Sequence, residues 1–159
     1  MVFLADDPKL QRLVALKAML PNVAAIPLAK ERFLREARAA ARLKSDHIVT
    51  IYEVAEADGI PYLAMELLEG QSLASVVKSR EPLGARRIIP IARDIARGFA
   101  AAHEAGLVHR DIKPGNLWLE TRGSDIRVKI LDFGLVRPIE EDVQIAQSGT
   151  SVGTPAYMS

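Results

Sequence analysis

The sequence predicts an α+β fold, and three observations carry that expectation. Strand-like apolar runs are joined by turn signals in the first part of the chain: Asp6-Asp7-Pro8 separates residues 1–5 from residues 10–20, and Asp58-Gly59 separates residues 48–55 from residues 60–67. Two stretches, residues 28–44 and 85–105, carry apolar side chains at helical spacing. A third pair of strand-like runs, residues 117–119 and 126–131, flanks the turn Arg122-Gly123-Ser124-Asp125.

In the second strand-like run, period two puts Ala15 and Lys17 on one face and Val14 and Leu16 on the other. A small alanine beside a lysine leaves room for a flat ligand, although a lysine on an edge strand also serves simply to discourage aggregation. In the helix over 28–44, Phe33, Ala37, Ala40 and Leu43 form the apolar face, with Arg32, Arg35, Arg38 and Arg42 largely elsewhere. Glu36 lies between Phe33 and Ala40, so its carboxylate turns toward the apolar side and needs a cation. Lys17 is one candidate partner, and Arg32 or Arg35 is the other. Ser72 is placed to cap a short helix through Val77. The helix over 85–105 should pack along Ile88, Ile91, Ala92, Ile95, Phe99 and Ala102 and stop at Gly106.

Chemistry concentrates in His109-Arg110-Asp111-Ile112-Lys113-Pro114-Gly115-Asn116, eight residues that the Pro-Gly pair keeps out of a helix. Asp111 is a proton acceptor, Lys113 a cation for an anionic transferring group, and Asn116 an oxygen ligand suited to Mg²⁺. Base, cation and hard-metal ligand together suggest phosphoryl transfer. The hairpin that follows should bring Asn116, at its start, beside Asp132, at its end, giving two oxygen ligands for one metal cluster.

Composition narrows the alternatives. The 159 residues allow one core, built from aliphatic and alanine side chains because 49% of the chain is hydrophobic and only 5% aromatic. A formal charge of +1, from 21 basic and 20 acidic residues in even mixture, carries no footprint for nucleic acid or an anionic membrane. The absence of cysteine excludes disulfides and cysteine-ligated zinc. No apolar run approaches the roughly 20 residues that span a bilayer, and a cytoplasmic chain is expected.

The segment 109–116 followed by Asp132-Phe133-Gly134 resembles the catalytic loop and magnesium-binding triplet of eukaryotic-type protein kinases. Val14-Ala15-Leu16-Lys17 and Gly153-Thr154-Pro155-Ala156-Tyr157-Met158 match the same family, and Lys113, two residues after the base, resembles its serine/threonine branch in the bacterial style. The resemblance implies a two-lobed kinase fold, with a small lobe over residues 1–65, a hinge over 66–70 and a large lobe over 71–159. It implies ATP and Mg²⁺ as cofactors and a protein with serine or threonine as substrate, with no nucleic-acid partner.

By the same resemblance, Asp111 is the catalytic base and Lys113 steadies the γ-phosphoryl group. Asn116 and Asp132 hold magnesium, and Lys17, paired with Glu36, orients the phosphates. Ala15 and Met65 flank the adenine, the backbone of Glu66 and Leu68 bonds it, and Trp118 lies beneath it, where it either stacks on the base or crowds it. His109 packs under the metal-binding triplet. Arg110 implies ordering by phosphorylation, with Ser148, Thr150 and Ser151 as acceptors. The family's glycine-rich loop has no counterpart in the sequence, and its Pro-Glu pair would follow Ser159. A fragment of a kinase domain, incomplete at both ends, is therefore expected; the alternative is a catalytically silent, kinase-derived nucleotide-binding or interaction module.

Overall fold

The computed structural model describes residues 1–80, 83–109, 111–123, 125–132 and 137–138. The architecture is α+β, as expected, and the chain divides into two compact units. One comprises Met1–Arg42 and Val49–Leu68; the other comprises the described residues of Leu43–Ile48 and Glu69–Ser159.

The first unit is built on an antiparallel sheet of β1 (Val2–Asp7), β2 (Arg12–Ala18), β3 (Ile51–Ala57) and β4 (Ile60–Glu66), in the order β1-β2-β4-β3. Both hairpins lie where the turn residues place them. Asp7 closes the first, accepting from the Leu10 amide at 3.2 Å and from Arg12 Nε at 3.3 Å. In the second, Asp58 (φ 50°) and Gly59 (φ 79°) both adopt the left-handed conformation that a two-residue hairpin turn demands. A bulge between Ile51 and Glu53 leaves Tyr52 as the extra residue, and the Arg12 guanidinium lies 3.5 Å from the centre of its ring.

Two helices follow β2: α1 (Pro21–Ala24), which the apolar periodicity does not announce, and α2 (Pro27–Ala40). Each begins with proline at its first helical position, where the missing N–H costs nothing. Helix α2 packs against β3 and β4 and buries Glu36, Ala37 and Ala40. It stops four residues short of the predicted end at 44, because Leu43–Ile48 belongs to the second unit. Pairing holds that segment there: the Ile130 amide donates to the His47 carbonyl at 2.8 Å, and Ile48 makes a parallel bridge to Ile130.

The second unit contains β5 (Gly70–Ser72), α3 (Leu73–Lys78), α4 (Ala85–Glu104), β6 (Leu107–Val108), a 3₁₀ turn (Pro114–Asn116), β7 (Leu117–Arg122), β8 (Asp125–Ile130) and β9 (Arg137–Pro138). The predicted hairpin of β7 and β8 forms, β5 pairs with β7, and β6 pairs with β9. Ser72 caps α3, its Oγ accepting from the Ser75 amide at 3.1 Å. Gly106 terminates α4 at φ 74°.

Helix α4 packs on β8, but its buried line is rotated from the predicted stripe. Ile91, Asp94, Gly98 and Ala102 are buried, whereas Ile88 and Ala92 are exposed. The cause is Gly98: a Cβ there would stand 2.5 Å from Ile130 Cδ1 and 3.0 Å from the His47 carbonyl oxygen, so the helix backbone itself meets the sheet. The core beneath holds Ile48, Leu117, Leu119, Val128 and Ile130. Complete burial of one such aliphatic side chain contributes roughly 1.5–3 kcal/mol. Among the described residues no helix is long and apolar enough to cross a membrane.

Candidate active site

The loop between β6 and β7 is held from below by His109, which is 1% exposed. Its Nδ1 accepts from the Asp111 amide at 3.3 Å, which places the proton of the neutral ring on Nε2, and Nε2 donates to the Leu131 carbonyl at 3.0 Å. Phe99 of α4 packs edge-on to the imidazole at 5.6 Å. Burial pushes the His109 pKa below its ordinary value, against the opposing pull of the Leu131 carbonyl and the Asp111 and Asp132 carboxylates. The ring is thus a neutral strut joining the loop to the residue that precedes Asp132.

Above it, three side chains converge. Lys113 Nζ lies 2.5 Å from Asp111 Oδ2. Asn116 Nδ2 donates to the same oxygen at 3.1 Å and to the Asp111 backbone carbonyl at 2.8 Å. The 3₁₀ turn at Pro114–Asn116 makes this possible by folding Asn116 back toward Asp111, and the Asn116 amide closes the turn on the Lys113 carbonyl at 2.9 Å. With its nitrogen committed, the buried Asn116 amide is oriented, and Oδ1 is its remaining coordinating atom.

The β7–β8 ladder runs one step past Leu117 and Ile130, for the Leu131 amide donates to the Asn116 carbonyl at 2.8 Å. Asp132 is the next residue, half-buried and at φ 53°. A left-handed aspartate is uncommon and marks backbone held against its preference. Trp118 is anchored by its indole N–H, which donates to the Glu69 carbonyl at 3.1 Å.

The remaining predicted positions with described structure lie in the first unit. Ala15 pairs directly with Met65 and Lys17 with Leu63, so these four side chains share one face of the sheet. Glu36 is 5% exposed, and Arg32 Nε donates to its Oε1 at 2.8 Å, the helical neighbour that spacing offered as one of two alternatives. Leu68 closes the unit after β4. Sequence reasoning missed a clamp at that end: Thr50 donates its amide to Glu66 Oε1 at 2.7 Å, while the Glu66 amide donates to the Thr50 carbonyl at 2.9 Å. No local pattern signals it, since the partners are 16 residues apart. Arg110, Phe133, Gly134, Ser148, Thr150, Ser151 and the motif from Gly153 to Met158 lie outside the described residues.

Among the described residues no group of three or more His, Cys, Asp or Glu side chains is arranged to hold a metal by itself. The donor set instead suits Mg²⁺, which takes one or two protein oxygens and completes its shell with water and phosphate. Asn116, through its oriented amide oxygen, and Asp132, through its carboxylate, are the residues that would supply such oxygens.

The whole chain, residues 1–159, matches the protein kinase domain family. It is 40% identical over 158 residues to the serine/threonine-protein kinase PknL of Mycobacterium tuberculosis, covering 99% of this chain and 39% of that protein. It is 37% identical over 158 residues to the serine/threonine-protein kinase PknE of the same species, covering 99% of this chain and 27% of that protein. It is 34% identical over 162 residues to the serine/threonine-protein kinase PknB of Mycobacterium leprae, covering 99% of this chain and 26% of that protein. The chain therefore spans well under half the length of these relatives. With sequence motifs, an α+β architecture and a match along its full length in agreement, the chain belongs to the protein kinase domain family.

Proposed function

We propose that the chain is part of a serine/threonine protein kinase that transfers the terminal phosphoryl group of ATP to a hydroxyl of a protein substrate. The observation that carries this reading is the fixed position of the Asp111 carboxylate between Lys113 Nζ and the Asn116 amide. Asp111 accepts the proton of the serine or threonine hydroxyl as it attacks, and Lys113 balances the negative charge moving toward that oxygen. Asn116 and Asp132 are the residues that would hold Mg²⁺, whose charge, when bound, neutralises the phosphate oxygens.

Residues 1–65 form the small lobe in this reading, 66–70 the hinge and 71–159 the large lobe. Lys17 orients the phosphates, and Glu36 holds Lys17 while also engaging Arg32. Ala15 and Met65 flank the adenine, the backbones of Glu66 and Leu68 bond its edge, and Trp118 is a flat surface beneath it. Arg110 pairs with a phosphate on Thr150, or on Ser148 or Ser151, to order the segment before Gly153. The site works where ATP is present, on the cytoplasmic side.

The test is thermal unfolding of the chain with and without Mg-ATP. Ligand at about 100 times Kd stabilises by roughly 2.7 kcal/mol, and the wild-type protein should show such a rise. Asp132→Asn should lose the rise at the same ligand concentration. No rise in the wild type, or an equal rise in the variant, overturns the assignment.

A further inference from the structure

Away from the catalytic loop, the second unit carries an open groove of about 800 Å³ between α4, the segment around Asp46 and the start of β8. Arg86, Arg93 and Arg97 recur at intervals of seven and four along α4, so they form one stripe on the groove wall. Arg87 lies beside them, and Arg127 of β8 lines the groove as well.

The charges do not balance. Arg127 Nη1 is 3.4 Å from Asp46 Oδ2, and Arg93 Nη2 is 3.4 Å from Asp94 Oδ1, whose other oxygen faces His47 at 3.8 Å. Among the described residues Arg86, Arg87 and Arg97 make no ion pair, and all three are exposed. Only Asp125 remains on the acidic side. Three guanidinium groups without counter-ions along one helix face repel one another, and an occupant carrying carboxylates relieves that repulsion while matching the planar fork geometry.

The dimensions select the kind of anion. From Arg86 to Arg97 the helix advances about 16 Å, the length of roughly five extended residues, so a single small anion cannot meet both ends. The three aspartates interleaved with the arginines disfavour a continuous run of phosphates, as in a nucleic acid. We propose that this groove docks an acidic, extended segment of a protein partner, recognised through carboxylates on Arg86, Arg87 and Arg97.

Binding is read without turnover, so the inference stands apart from the phosphotransfer reading. Fluorescein-labelled decapeptides of alternating Glu and Ser, Gln and Ser, or Lys and Ser are titrated into the full chain and followed by anisotropy. The Glu peptide should bind, the Gln peptide should bind at least tenfold more weakly, and raising salt from about 0.05 to about 0.5 M should weaken the complex. Arg86→Ala with Arg97→Ala should reduce affinity for the Glu peptide about tenfold, with stabilisation by Mg-ATP unchanged. Arg86→Glu with Arg97→Glu should reverse the preference toward the Lys peptide while keeping the stabilisation by Mg-ATP, which shows that the variant is folded. The proposal is overturned if the Glu peptide binds no better than the Gln peptide, or if the double alanine variant keeps full affinity. Binding confined to a phosphoserine peptide, or to a single-stranded oligonucleotide, would overturn it equally.

Discussion

His109 Nε2 and the Leu131 carbonyl oxygen are 3.0 Å apart, and this bond ties the two halves of the proposed phosphotransfer site together within the second unit. The residue two places after the histidine is Asp111, and the residue after the leucine is Asp132. One neutral imidazole therefore fixes the backbone at both carboxylates, receiving from the Asp111 amide on one side and giving to Leu131 on the other.

That role has a pH signature. Burial lowers the His109 pKa in the folded state, so on acidification the unfolded chain takes up the proton first. The stabilisation is fully present above the unfolded value of about 6.5 and is lost as pH falls through the lower folded value. His109→Phe keeps a ring but takes the imidazole donor from the Leu131 carbonyl, at a cost on the order of 1–3 kcal/mol, while the Asp111 amide keeps its bond to the backbone carbonyl of residue 109 at 2.9 Å. Urea unfolding across this pH range should show the slope in wild type and less of it in His109→Phe. An unchanged slope would assign the acid sensitivity to other groups.

The backbone of Asp132 offers a test that separates conformation from chemistry. At φ 53° a residue with a Cβ is strained and glycine is not. Asp132→Ala and Asp132→Gly both remove the carboxylate, so both should abolish the stabilisation by Mg-ATP. They should differ in intrinsic stability, with the glycine variant the more stable by about 1 kcal/mol. Equal stabilities by denaturant unfolding would mean that the left-handed conformation is not retained in solution.

What local chemistry dictates was legible in the sequence. Asp58-Gly59 placed a hairpin, Ser72 a helix start and Gly106 a helix end because each acts within a few residues of itself. The grouping of Asp111, Lys113 and Asn116 was legible for the same reason: a prolyl turn brings together groups that are at most five residues apart. What depended on distant contacts was not. The rotation of α4 is set by the close approach of Gly98 to Ile130, and the early end of α2 by the pairing of His47 and Ile48 with β8. Glu36 illustrates the limit, since Arg32 one turn away satisfied the spacing as well as a lysine on another element did.

Asp111→Asn probes the proposed base directly. The substitution keeps the size of the side chain and an oxygen for Lys113, so stability should change by no more than about 1 kcal/mol, the scale of a partly exposed ion pair. Phosphoryl transfer to a serine-containing protein substrate should nonetheless fall by roughly 10²- to 10⁴-fold in kcat, the usual share of a general base. Single-turnover transfer of labelled phosphate would measure it. Undiminished turnover would remove Asp111 from the chemistry.

Gly98→Ala should reverse the usual sign of its substitution class. In an exposed helix interior, alanine in place of glycine stabilises by about 1 kcal/mol. Gly98 is buried, and the added methyl would stand 2.5 Å from Ile130 Cδ1, 3.0 Å from the His47 carbonyl oxygen and 3.2 Å from His47 Cβ. Ile130 is fully buried and has little room to turn away, and the His47 oxygen accepts the Ile130 amide at 2.8 Å, so relief requires α4 to move off β8. Overpacking of this kind costs roughly 1–3 kcal/mol, which exceeds the gain in helix propensity. Denaturant unfolding should show a net loss, and pairing Gly98→Ala with Ile130→Val should recover part of it, because shortening the isoleucine removes the nearest of the three clashes while the two to His47 remain.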